Sequence, residues 1–334
     1  MARILLTQAI HPEAERQLAA LGELVTAADT QPDTLRRSAQ GCAVIVVRAP
    51  LPDDIFVAAP SLIGAVRHGA GVDMIPLDAA SARGVLVANV PGVNAVSVAE
   101  HVLLKMLQLA RRSAALEGAL RAGRSRGWPA TRAIADTGFE LSGRTVGLVG
   151  LGHVGQAIAR VCALGMGMRV LASTRRGLRP DAPPWVEGVA TLDTLLERSD
   201  FVVLACPLDE TTRGLIGAAE LARMRRGSFL VNVARGPVVQ TEALLPALRS
   251  GQLAGAALDV FDVQPPPEEH PLWAMEQVLI TPHVAGITDD SMRRMGEGAA
   301  RAVASLLRGE LPPNCVNPQA LPEFQRRRRS VAAG

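Results

Sequence analysis

Gly150, Gly152 and Gly155 follow the apolar run 146–149 and precede a stretch in which Val154, Ile158 and Val161 recur at helical spacing. In a strand–turn–helix of this kind the first glycine permits a tight turn and the second lets the backbone approach a pyrophosphate. The third lets helix and strand pack closely. The N–H groups at the start of the helix then receive phosphate oxygens. The next apolar run, 169–173, ends in Thr174, Arg175 and Arg176. An NAD site places an acid near position 174 to hold the ribose 2′-hydroxyl, whereas a threonine and two arginines suit a 2′-phosphate. NADP(H) is the expected cofactor and NAD(H) the alternative.

Three more segments end apolar runs in polar groups: L-V-N-V-A-R-G-P (230–237), A-L-D-V-F-D-V-Q-P-P-P (257–267) and I-T-P-H-V-A-G (280–286). In an open α/β sheet the residues beyond the carboxyl ends of strands line the ligand crevice. Arg235 is a permanently charged fork that matches a carboxylate through two parallel hydrogen bonds. His283 is the natural proton donor near neutral pH. A guanidinium, an imidazole and a nicotinamide in one crevice point to reduction of a 2-oxo acid, with hydride from the cofactor and the proton from His283.

The elements that must position these groups follow from the pattern. Short β-rich runs at 146–149, 170–172, 201–205, 229–233, 256–260 and 278–280 alternate with helix patterns, as in a doubly wound parallel sheet. Runs at 4–7, 44–47, 62–66 and 85–88 repeat the idea on a smaller scale, without a glycine fingerprint. Apolar residues at helical spacing in 97–112 and 291–307 predict helices that carry the chain out of the first domain and back. The expected fold is α/β, with two Rossmann-like doubly wound parallel-sheet domains and a cleft between them. The substrate domain is discontinuous (1–97 and 288–334), and the dinucleotide-binding domain spans 98–287. Residues 114–138, bearing Gly, Arg and Trp, are too irregular for a simple loop and are expected to form an oligomerisation arm.

The 334 residues exceed the roughly 250–300 at which single cores stop growing. Tyrosine is absent and aromatics make up 3%, so the core must be aliphatic and stacking platforms for nucleic-acid bases are scarce. The net charge is only +3, and Arg326–Arg329 reads as a short solvated tail, so no nucleic-acid partner is expected. Cys42, Cys162, Cys206 and Cys315 are far apart, without metal-ligand spacing; no metal is expected, and reduced thiols fit a cytoplasmic location. Residues 4–6 are too short for a secretory signal, and no apolar run reaches the roughly 18 residues of a membrane span.

In order along the chain, V-R-H-G-A-G-V-D (66–73), N-A-V-S-V-A-E-H (94–101), the glycine turn, C-P-L-D-E-T-T (206–212), N-V-A-R-G (232–236), A-L-D-V-F (257–261) and T-P-H-V-A-G (281–286) resemble the D-isomer-specific 2-hydroxyacid dehydrogenases. The likeness covers nearly the whole chain and is to the glyoxylate/hydroxypyruvate reductase-like branch. It implies Arg235 as substrate clamp and His283 as acid/base. It places the substrate carboxylate against the backbone of Ala70, Gly71 and Val72, with Asn94 nearby. The implied cofactor surface comprises Gly150, Gly152, His153, Val154, Gly155, Thr174, Arg175, Arg176, Cys206, Pro207, Thr212, Val233, Ala234, Asp259 and Gly286. The resemblance further implies a homodimer acting on glyoxylate, hydroxypyruvate or a related 2-oxo acid. Arg48 and His68 would line the substrate's side-chain pocket, with Trp128 of the partner subunit; they suit an anionic distal group, or are surface residues.

One departure matters. Family members carry a glutamate five residues after the aspartate of A-L-D-V-F, bonded to the catalytic histidine; here that position is Gln264. A carboxylate beside an imidazole stabilises its protonated form, whereas an amide orients the ring without supplying charge. Ketone reduction is therefore expected to fade at lower pH than in members with the glutamate. A His–Gln pair also resembles the formate dehydrogenases, whose hydride transfer needs no proton acceptor. Nucleotide-sensing corepressors resemble the family as well, and are the non-enzymatic alternative.

Overall fold

Short runs of Val, Ile, Leu and Ala, bounded by Gly, Pro or polar residues, form two sheets in which every strand pair is parallel. The computed structural model describes residues 2–333; Met1 and Gly334, at the outer limits of the expected substrate domain, lie outside the described residues. The chain divides into one unit of Met1–Asn94 with Ile287–Gly334 and a second of Ala95–Gly286.

The first unit holds β1 (Arg3–Leu6), β2 (Glu23–Thr26), β3 (Val44–Val47), β4 (Gly64–Arg67) and β5 (Leu86–Ala88), in the order β2-β1-β3-β4-β5. Side chains alternate between its faces, as the pleat requires. Ile4, Leu6, Val44, Val46 and Leu86 pack with Ala14, Leu18, Ala299, Val303 and Leu306. Leu5, Ile45, Val47 and Val87 pack with Leu35, Ile55 and Phe56. Helix Asp289–Arg308 covers part of the first face. The chain then returns through Cys315, bridged to Ala88, and the fully buried Asn317, whose amide bonds Val85, Val87 and Ser81.

The second unit holds β6 (Thr145–Val149), β7 (Arg169–Ser173), β8 (Val186–Gly188), β9 (Phe201–Leu204), β10 (Ser228–Asn232), β11 (Leu253–Leu258) and β12 (Val278–Ile280), in the order β12-β11-β10-β9-β6-β7-β8. Helices Ala95–Arg111 and His153–Arg160 cover one face through Val98, Val102, Met106 and Ile158. Leu195, Leu196, Leu244 and Leu248 cover the other. Both sheets are doubly wound, and strand order reverses between β1 and β3 in one and between β6 and β9 in the other.

Two expectations need correction. Arg326–Arg329 is part of helix Leu321–Ala333 rather than a solvated tail: Arg327 donates to the carbonyls of Leu62, Pro60 and Arg83, and Arg328 to that of Leu307. Residues 114–138 are more regular than their composition implies. Helices Ser113–Gly123 and Trp128–Ala135 flank a 3-10 turn at Arg124–Gly127, and Gly127 packs so close that a Cβ there would lie 2.6 Å from the Ala119 carbonyl oxygen. Among the described residues no helix is long and apolar enough to cross a membrane.

Candidate active site

The turn after β6 follows the glycine logic closely. Gly150 has φ +97°, a left-handed conformation that favours glycine, and a Cβ on Gly155 would sit 2.3 Å from the Gly150 carbonyl oxygen. Gly152 is different: a Cβ there would meet nothing within 4 Å. It is extended and immediately precedes helix His153–Arg160, so its bare backbone faces open space at the positive end of a helix.

That space is a cavity of about 1050 Å³. It gathers Gly150, Gly152, Thr174, Arg175, Arg176, Cys206, Pro207 and Thr212 of the expected cofactor set, contributed by the turns after β6, β7 and β9. His153, Val154, Gly155, Val233, Ala234, Asp259 and Gly286 are outside its lining. A large cavity against a glycine turn at the sheet's switch point, with bare N–H groups and cations, fits a dinucleotide. Burial pushes the Cys206 thiol up to about 11, so it lines the cavity as a neutral group.

The second cluster lies beyond β10, β11 and β12. Asn232 pairs with Leu258, and Leu258 with Ile280, so the three strands deliver their following residues to one edge. Buried Asn232 fixes the first turn: its amide donates to the Arg235 carbonyl at 3.0 Å and accepts from Ala234 N–H at 3.0 Å. Gly236 is obligatory beside it, since a Cβ would lie 2.0 Å from the Phe261 carbonyl carbon. Arg235 itself is half-buried and donates to the Ala234 carbonyl.

His283 Nδ1 lies 3.0 Å from Gln264 Oε1. The Gln264 amide donates from Nε2 to the Phe261 carbonyl at 3.1 Å, which turns its oxygen toward the ring. With that oxygen as acceptor Nδ1–H is the donor, and Nε2 is left as the ring nitrogen not engaged by Gln264. His283 has φ +57°, a strained conformation for a side chain of this size.

Asp259 holds that strained turn. It is 3% exposed, and its carboxylate accepts from Thr281 Oγ1 at 2.7 Å, Val284 N–H at 2.9 Å and Ala285 N–H at 2.9 Å. Its backbone carbonyl accepts from His283 N–H at 2.8 Å. Thr281 Oγ1 gives its hydrogen to Asp259, so it accepts from His101 Nε2 at 3.3 Å. Burial lowers the His101 imidazole and the Lys105 ammonium, against the attraction of Asp259. Sequence reasoning placed Asp259 by the nicotinamide and missed its grip on both sides of His283. Three hydrogen bonds from residues more than 20 positions away leave no local spacing signal.

In the first unit, Arg48, the turn 70–72 and Asn94 follow β3, β4 and β5, which are neighbours. Gly69 has φ +140°, and Asn89 donates to the Ala70 carbonyl at 2.6 Å. Arg67, also missed, donates from Nε to the Gly71 carbonyl at 3.0 Å and from Nη1 to that of Val47 at 3.0 Å. Arg48 donates to the Ala9 carbonyl. His68 is 3% exposed rather than a surface residue, and burial beside Arg48 and Arg67 pushes its imidazole down to about 3. It is neutral, so it offers no positive charge to an anionic group. Trp128, by contrast, is 71% exposed. Among the described residues no group of His, Cys, Asp and Glu side chains is placed to hold a metal ion.

A family model described as "D-isomer specific 2-hydroxyacid dehydrogenase, NAD binding domain" matches residues 103–285. The chain is 38% identical over 290 residues to a glyoxylate reductase from Korarchaeum cryptofilum, covering 84% of this chain and 85% of that one. It is 32% identical over 293 residues to glyoxylate/hydroxypyruvate reductase B of Yersinia pestis, covering 88% and 89%. In structure it is similar to the NADPH-dependent glyoxylate/hydroxypyruvate reductase of Sinorhizobium meliloti in complex with NADP and malonate. The TM-score is 0.81 at 29% identity, over 94% of this chain and 96% of that one.

Proposed function

The chain belongs to the D-isomer specific 2-hydroxyacid dehydrogenase family, and from that premise we propose that it reduces glyoxylate, hydroxypyruvate or a similar 2-oxo acid to the D-2-hydroxy acid with NADPH. The observation that carries this reading is the Gln264–His283 pair, set beside the Arg235 turn at one edge of one sheet. NADPH, when bound, supplies the hydride. Arg235 grips the substrate carboxylate and polarises the ketone. His283 gives its Nε2 proton to the oxygen that becomes the alkoxide, while Gln264 fixes the ring through Nδ1. Gly152 and the start of helix His153–Arg160 hold the pyrophosphate, and Arg175 and Arg176 the 2′-phosphate. The NADP complex of the Sinorhizobium meliloti relative supports that choice of cofactor.

We assign the helical arm 113–135 to a homodimer, because its first helix buries no side chain and Trp128 is exposed. The four free cysteines suit a reducing cytoplasm.

Initial rates with glyoxylate and hydroxypyruvate, using NADPH and NADH across pH 5–10 in the wild type and Gln264→Glu, test the reading. The expected result is turnover favouring NADPH, with the alkaline limit about one unit higher in the variant, because a carboxylate keeps the imidazole protonated longer. Identical alkaline limits would remove Gln264 from the mechanism. NAD-linked oxidation of formate without ketone reduction would overturn the reading as a whole.

A further inference from the structure

The cofactor cavity contains a charge pair that two arginines alone would not predict. The turns after β7 and β9 flank the glycine turn, because β6 lies between those two strands. From the first turn Arg175 reaches across to Asp209 of the second, Nη1 to Oδ2 at 3.3 Å. Both residues line the cavity, and neither is buried: Arg175 is 65% and Asp209 38% exposed at the side chain. Asp209 is held from behind, accepting from Thr211 N–H at 2.9 Å and Thr211 Oγ1 at 2.6 Å on its other oxygen. These bonds, with Arg175, keep its carboxyl below the usual range and ionised. Thr174 already donates its hydroxyl hydrogen to the Gly177 carbonyl at 2.5 Å. Arg176, exposed in the same turn, makes no ion pair among the described residues.

We infer that Asp209 sets this chain's choice between NADPH and NADH, by occupying Arg175 and by supplying across the cavity the carboxylate that position 174 lacks. A 2′-phosphate brings about two negative charges and competes with Asp209 for Arg175, leaving Arg176 as the cation it meets without competition. A 2′-hydroxyl finds an acceptor in Asp209, with the Arg175 pair intact. The chain therefore takes both cofactors and favours the phosphorylated one only moderately. The inference rests on reading this cavity as the dinucleotide site.

The test uses the full-length protein and two adenosine fragments, adenosine 2′,5′-bisphosphate and 5′-AMP, titrated calorimetrically into wild type, Asp209→Asn and Arg176→Ala. Asparagine keeps an oxygen for the Thr211 turn and removes the charge. Loss of one unit charge a few ångströms from a phosphate should tighten the bisphosphate about three- to tenfold. It should weaken 5′-AMP about twofold, so that the ratio of the two affinities moves by about tenfold. A ratio that stays within about twofold, or parallel changes for both fragments, would overturn the role of Asp209 and leave it a turn residue. Arg176→Ala separates the role of Asp209 from the existence of the phosphate site. If it weakens the bisphosphate while Asp209→Asn leaves the ratio alone, only the Asp209 inference falls. If it leaves the bisphosphate unchanged, the 2′-phosphate site falls and the Asp209 inference with it. Fragment binding needs no turnover, so either outcome holds whether or not the protein reduces a 2-oxo acid.

Discussion

Where strand order reverses in the larger sheet, the gap between β6 and β9 opens into a cavity of about 1050 Å³. At the equivalent place in the smaller sheet, between β1 and β3, there is a threonine. Thr7 is 1% exposed, and its hydroxyl accepts from the N–H groups of Arg48 at 2.8 Å and Ala49 at 3.3 Å. It ties the turn after β1 to the turn after β3. The same topology thus produces an open site in one unit and a stitched seam in the other. The difference lies in the residues that follow the first strand: Gly150, Gly152 and Gly155 against Thr7 and Gln8. A doubly wound sheet supplies the location of a site, and the turn decides whether anything enters it.

The units differ again in how they fix the residues beyond their strands. Arg48 and Arg67 bond backbone carbonyls, whereas Asp259 clamps the turn of His283 with a carboxylate. Asp259→Asn probes the clamp and should have the largest effect. Its amide nitrogen would face a backbone N–H, orphaning a buried donor at about 1–3 kcal/mol and releasing the φ +57° turn. Ketone reduction should fall about a hundredfold in kcat. Asp259→Asn with His283→Ala should be no slower than His283→Ala alone; additive losses would show that Asp259 acts elsewhere.

Gly155→Ala and Thr7→Val test the switch points side by side. The alanine Cβ would press on the Gly150 backbone, so cofactor affinity, read by nicotinamide fluorescence, should drop about tenfold or more. Thr7→Val should leave that affinity unchanged and lower stability by about 1–2 kcal/mol, since it strips two backbone donors of their acceptor. Weakened cofactor binding in Thr7→Val would mean that the seam is part of the site.

The effect that vanishes at neutral pH concerns acid. His68 in the folded chain stays neutral down to about pH 3, whereas the unfolded chain takes up that proton near pH 6.5. The unfolded state therefore binds more protons between these values, and stability falls as pH drops through that window. Above it there is no contribution. The slope is at most about 1.4 kcal/mol per pH unit. Urea midpoints between pH 7 and 4 should decline less steeply in His68→Gln, and equal slopes would sink the assignment.

Most strands were legible because they read as continuous apolar runs: residues 44–47, buried throughout, and 278–280, apolar although at a sheet edge, coincide with β3 and β12. Those missed, Glu23–Thr26 and Val186–Gly188, are edge strands with half-exposed, polar-bearing sequences that carry no such run. The glycine turn was legible because its constraints are local. The Arg175–Asp209 pair and the Asp259 clamp were not, because each joins turns that only the strand order brings together. Helix 113–123 was hidden by its lack of buried positions.

The first unit is made of two pieces of chain, and helix Asp289–Arg308 is one of the layers on its sheet. During translation all seven strands of the larger sheet are synthesised before that helix. At about 5–20 residues per second, β1–β5 wait roughly 10–40 s with Ile4, Leu6, Val44, Val46 and Leu86 short of their cover. That half-dressed nascent face is where a holding chaperone would find its substrate in this molecule.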